Sequence, residues 1–149
     1  MNRRDFITKT CISCTSLTLL SSFIESCTTV RYTSGTLNEN GMLVELKEFD
    51  TRKEGKRSYV IVRNESLQYP ICVYRLDDDS YSAVLMQCTH QGAELQVAGD
   101  QLTCPAHGSE FDKTGMVTQG PAAMNLRSFP VSIENEQLFI DLRKRSGNI

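Results

Sequence analysis

This 149-residue chain contains only two histidines, and both fall in one short stretch. Cys88-Thr89-His90 is a Cys-x-His box, and Cys104-Pro105-Ala106-His107 is a Cys-x-x-His box. Two thiolates and two imidazoles arriving from neighbouring loops can bind a metal centre. A tetrahedral zinc ion accepts such a donor set. Zinc fingers usually pair Cys with Cys and His with His in their half-sites, whereas each half here is mixed. Mixed boxes suit a two-iron cluster, in which each loop gives one ligand to each iron. Gly92 and Gly108 close the boxes and allow a tight backbone turn beside the centre.

With their flanks, Cys88-Thr89-His90-Gln91-Gly92 and Cys104-Pro105-Ala106-His107-Gly108-Ser109 resemble the two boxes of the Rieske iron–sulfur family. The similarity in layout runs over residues 43–142. It implies one 2Fe–2S cluster per chain, with Cys88 and Cys104 on one iron and His90 and His107 on the other. Two neutral imidazoles in place of thiolates make such a cluster less negative. Its potential then lies between about −150 and +300 mV, against about −400 mV for plant-type ferredoxins. The imidazoles can also lose a proton on oxidation, and backbone N–H groups of the loops can tune the potential. Gly120-Pro121-Ala122 is similar to the family's third loop, which covers the cluster.

The chain departs from the quinol-oxidising branch at identifiable positions. Rieske subunits of cytochrome bc complexes carry a further Cys in each box, joined as a disulfide brace. Ala93 and Ala106 stand at those positions, so the brace is expected to be absent. Ser109 matches the Ser whose hydroxyl helps bind the cofactor. Phe111 replaces the matching Tyr and has no hydroxyl. A potential between the low ferredoxin-like and the high quinol-oxidising proteins follows. Gln91 also differs from the apolar residue that the quinol branch favours.

The front of the chain reads as an address. Arg3-Arg4-Asp5-Phe6-Ile7, with Lys9 close by, looks like a Tat export signal. Residues 11–24 are weakly hydrophobic, short, and rich in Ser and Thr, which argues against a membrane span. Phe23-Ile24-Glu25-Ser26-Cys27 resembles a lipobox, with Glu25 departing from the usual small residue. Cys27 is then the expected lipidation site, with an uncleaved anchor or free secretion as alternatives. The expected organisation is a signal over 1–26, a tether over 27–41, a Rieske domain over 42–143 with its cluster-binding subdomain at about 87–122, and a tail over 144–149. The destination is the cell envelope, membrane-anchored on its periplasmic or surface face. Of the six cysteines, Cys11 and Cys14 fall in the signal. Cys72, inside an apolar run, reads as buried and inert. No obvious disulfide pair remains.

The elements that must position the boxes are strands. Residues 43–46, 59–62, 71–74, 81–86, 129–133 and 137–142 are short, β-branched or aromatic runs separated by polar turns. No long helical period follows the signal. The expectation is an all-β fold: a Rieske-like antiparallel β-sandwich with a small cluster-binding subdomain at its tip.

Net charge is −2, and about −3 beyond the signal, which argues against nucleic acid as a partner. The basic cluster over 52–57 reads as a solvated hairpin turn. A Rieske oxygenase needs a second iron held by two further His and a carboxylate, and both His are already committed. The leading expectation is one-electron transfer, not an enzyme on its own, with a redox protein or membrane oxidoreductase complex as partner. The alternatives are a Rieske subunit of a quinol-oxidising or periplasmic oxidase complex, and a zinc-stapled structural module.

Overall fold

The computed structural model describes residues 32–51 and 55–143. The expected signal, Cys11, Cys14, Cys27 and the tail over 144–149 lie outside the described residues. In chain order the strands are β1 (Tyr32–Ser34), β2 (Thr36–Leu37), β3 (Gly41–Glu45), β4 (Asp50–Thr51), β5 (Gly55–Lys56), β6 (Tyr59–Arg63), β7 (Ile71–Asp77) and β8 (Ser80–Leu85). They continue as β9 (Gln96–Ala98), β10 (Gln101–Thr103), β11 (Glu110–Asp112), β12 (Val117–Gln119), β13 (Ser128–Phe129), β14 (Val131–Glu134) and β15 (Gln137–Asp141). A single 3-10 turn, Leu46–Phe49, is the one helical element among the described residues. The fold is all-β, as expected.

A five-stranded sheet, ordered β1-β6-β7-β8-β13, forms the middle layer. Its central strands are apolar at successive positions because both of their faces are covered. In β7, Ile71 and Val73 point into one core while Cys72 and Tyr74 point into the other, and all four are buried. β6 divides in the same way, with Val60 and Val62 on one side and Ile61 on the other. The first core is closed by the sheet β14-β15-β3-β2, through Met42, Val44, Leu138 and Ile140. This is the sandwich. The second core is closed by the sheet β12-β11-β10-β9, through Leu95, Leu102 and Phe111. Each such buried aliphatic or aromatic side chain contributes about 1.5–3 kcal/mol over its exposed state. The cluster-binding subdomain therefore lies along the second face of the middle sheet, and only its loops form the tip.

All strand pairings are antiparallel except β1 with β6, which is parallel. That pairing shortens the expected tether. Within 27–41, Tyr32–Ser34 pairs with β6 and Thr36–Leu37 with β3. Gly35 makes the crossing possible, since a Cβ there would stand 2.2 Å from Met42 Sδ and 2.7 Å from Val62 Cγ1. The Asn64 side chain also donates to the Gly35 carbonyl at 3.0 Å. Short, polar edge strands of this kind have no apolar period to reveal them.

Candidate metal centre

Two loops of the same construction carry the boxes. In the first, the Cys88 N–H donates to the Ala93 carbonyl and the Gly92 N–H to the Cys88 carbonyl, each at 2.8 Å. In the second, the Cys104 N–H donates to the Ser109 carbonyl at 2.8 Å and the Gly108 N–H to the Cys104 carbonyl at 3.0 Å. The glycine at the fifth position has φ +75° in both. Side chains other than Gly rarely adopt that conformation. The glycines thus let two unlike sequences close the same turn. The first loop leaves β8 and is pinned at its base by the Gln87–Glu94 bridge. The second is the turn between β10 and β11, which pair in register with Leu102 opposite Phe111.

The four metal-binding side chains come together at two depths. Cys88 and Cys104 are buried, at 2% and 3% exposure. His90 and His107 are exposed, their rings 5.0 Å apart and nearly perpendicular at 87°. Burial alone would raise the Cys104 thiol's pKa. The Ala106 N–H, the Cys88 side chain and the His107 N–H outweigh it and hold it below the usual value. The second loop thus aims backbone donors at sulfur, which favours the thiolate needed for metal binding. Among the described residues, no three His, Cys, Asp or Glu side chains gather where they could hold a single metal ion. A sulfur pair beneath an imidazole pair suits a group with two metal positions and not one tetrahedral ion.

A third segment covers the loops and ties them together. The Ser109 hydroxyl, fully buried, accepts the Ala122 N–H at 3.0 Å. Its own proton remains to be donated. Gln119 Nε2 donates to the Gly108 carbonyl at 3.1 Å, and Thr89 Oγ1 donates to the Met124 carbonyl at 2.6 Å. Gly120-Pro121-Ala122, expected as a cover loop, lies between these contacts, with a cis Gly120–Pro121 bond. From the other side, the Tyr69 hydroxyl donates to the Gly92 carbonyl at 2.6 Å. Phe111 is fully buried in the same core as both cysteines. Cys72 lies in that core too. Burial pushes its thiol up to about 12, partly offset by a hydrogen bond with Tyr74. Cys72, Cys88 and Cys104 are free thiols, as expected where Ala93 and Ala106 replace the bracing cysteines.

Tyr69, Thr89 and Gln119 were not among the residues singled out from sequence. Their signal is weak, because an isolated hydroxyl or amide becomes informative only once the loops are placed.

The model of the Rieske [2Fe–2S] domain matches residues 42–130. The chain belongs to the Rieske family, whose cofactor is the 2Fe–2S cluster. It is 40% identical over 55 residues to a cytochrome b6-f complex iron-sulfur subunit of Synechococcus sp. (strain CC9605), covering 36% of this chain and 31% of that protein. It is 37% identical over 82 residues to the oxygenase component of dicamba O-demethylase from Stenotrophomonas maltophilia, covering 48% and 24%. Among solved structures it resembles the cyanobacterial plasma membrane Rieske protein PetC3 from Synechocystis PCC 6803. There the TM-score is 0.50 at 25% identity, over 56% of this chain and 86% of that one. The chain spans about a third of the length of the cytochrome b6-f subunits it matches, 31% in the case quoted.

Proposed function

We propose that this protein is a one-electron carrier whose 2Fe–2S cluster is held by Cys88 and Cys104 on one iron and His90 and His107 on the other. The cluster, when bound, takes up and releases a single electron. The observation that carries the reading is the pair of matched loops, with two buried sulfurs beneath two exposed imidazoles. The buried side shields the thiolates from water. The exposed side offers two ring edges through which an electron, and a proton, can pass to a partner. Ser109 supplies a buried hydroxyl beside the second loop, which we assign to hydrogen bonding with the cluster or a cysteine sulfur.

The cell-envelope address is part of the proposal. Arg3-Arg4 directs export through the Tat route, and Cys27 carries the lipid anchor. Tat carries folded proteins, which suits a domain that receives its cluster before export. The partner is a redox protein or a membrane oxidoreductase complex. A place in a quinol-oxidising complex is the second reading, favoured by the likeness to cytochrome b6-f subunits. Ala93, Ala106 and Phe111 count against it. A zinc-stapled module is disfavoured by the two-depth arrangement of the donors.

The test is EPR of the reduced protein. Cys88→Ser and His107→Ala should each abolish the signal of a His-ligated cluster. A native spectrum retained in His107→Ala would contradict the assignment.

A further inference from the structure

Charged side chains make up 23% of the chain, yet the surface around the two imidazoles has none. Residues 86–93, which include the first loop, contain no Asp, Glu, Lys or Arg. The same holds for 101–109, around the second loop, and for 114–126, around the cover segment. These three stretches are tied together by the bonds Thr89–Met124, Gln119–Gly108 and Ser109–Ala122. They therefore form one continuous rim. Its exposed members include Gln91, Pro105, Ala106, Pro121, Ala123 and Met124, the last at 65% exposure. The charges that border the rim are turned to other contacts. Glu94 is paired with Arg63 at 2.6 Å, and Arg127 lies over the Phe129 ring at 4.8 Å.

We infer that the rim is a docking face for a redox protein whose own docking face is uncharged and apolar, with the Met124 side chain as its central contact. This rests on the cluster assignment proposed above. The argument is one of complementarity. A charged partner face would lose its hydration against this rim and find no counter-charge there, a cost that selects against such partners. An uncharged face loses little, and an exposed thioether packs adaptably against it. Encounter through such a face gains nothing from electrostatic steering, so its rate is insensitive to salt. Charge elsewhere on the domain is too far from the contact to act strongly once screened, since the Debye length is about 10 Å at 0.1 M.

A second copy of the full chain serves as the protein probe. Electron self-exchange between oxidised and reduced holoprotein can be followed by NMR line broadening between about 0.02 and 0.5 M salt. The rate should change by less than about twofold across that range, as expected for uncharged docking faces. Met124→Glu should slow exchange roughly tenfold at low salt and make it salt-dependent, because it sets like charges against each other. Met124→Leu should behave as the parent. As a readout independent of electron transfer, amides of residues 88–93, 104–108 and 120–125 should be the ones perturbed on self-contact in redox-inactive, gallium-substituted protein. Strong acceleration of the parent by salt, or no effect of Met124→Glu, would overturn the inference. Loss of the reduced-state EPR signal in the parent would instead overturn the cluster assignment, so the two failures are distinguishable.

Discussion

Ser109 and Phe111 form a natural pair of probes at the level of single residues. Both are fully buried beside the cysteine loops, and only Ser109 has a hydroxyl. A hydrogen bond to a cluster or cysteine sulfur stabilises the reduced, more negative form. Ser109→Ala should therefore lower the midpoint potential and Phe111→Tyr should raise it, as read by protein-film voltammetry. Unchanged potentials in both variants would remove the hydrogen-bond argument. Ser109→Ala also leaves the Ala122 N–H without its partner, so its thermal unfolding should shift down while Phe111→Tyr tests the hydroxyl alone. The four metal-binding residues could be read from sequence because their types are rare here and their spacing is tight. Tyr69 could not. It reaches the Gly92 carbonyl from 23 positions earlier, and only the fold brings the two together.

Two hairpins carry predictions that belong to elements. The β14–β15 turn places Asn135 at φ 47° and Glu136 at φ 64°. Two-residue turns of this hand favour Asn followed by Gly, and a left-handed non-Gly residue costs roughly 1–2 kcal/mol. Glu136→Gly should thus raise stability by about 0.5–1 kcal/mol in urea unfolding, part of the relief being lost to added chain entropy. No gain would show that the turn is not strained. In the β11–β12 hairpin, burial alone would raise the Asp112 carboxyl's pKa. The Thr114 hydroxyl and the N–H groups of Met116, Thr114 and Gly115 outweigh it and hold it low. Because the folded pKa is depressed, this stabilisation is present above the unfolded value of about 3.9 and is lost as pH falls through the folded one. Asp112→Ala should cost about 1–2 kcal/mol at pH 7, the range for hydrogen bonds to a charged group. The difference between parent and variant should shrink below about pH 3, where the parent carboxyl also takes up a proton. A difference that is constant with pH would contradict the ionised acceptor.

The elements were unequally legible. β6, β7 and β8 stand out in the sequence because each is an apolar run covered on both faces. β9 to β12 do not, since each is three residues long with at most one fully buried position. Pattern reading therefore located the subdomain by its boxes without its sheet. β1 and β2 were hidden for a similar reason, and the segment over 27–41 read as a tether although residues 32–37 are largely paired.

For the whole molecule, that pairing bears on how the domain is held. If Cys27 carries a lipid, residues 28–31 are all that separate it from β1, a reach of about 14 Å at ~3.5 Å per residue. Such a linker gives standoff but little room to swing. We expect Cys27→Ser to move the exported protein from the membrane to the soluble envelope fraction, with the cluster intact. Membrane association retained in that variant would favour the uncleaved anchor. The likeness to cytochrome b6-f subunits reaches across only 31% of one of them, so the domain, and not the whole of such a subunit, is what the two share.

The central claim is that two sulfurs and two imidazoles hold a diiron cluster that moves single electrons. Its most direct test is metal and sulfide analysis of the full chain purified without oxygen, with EPR after reduction. The cluster formula requires two irons and two acid-labile sulfides per chain, with an average g below that of an all-cysteine cluster. Folded protein that is colourless and iron-free, or that holds one zinc per chain, would contradict it.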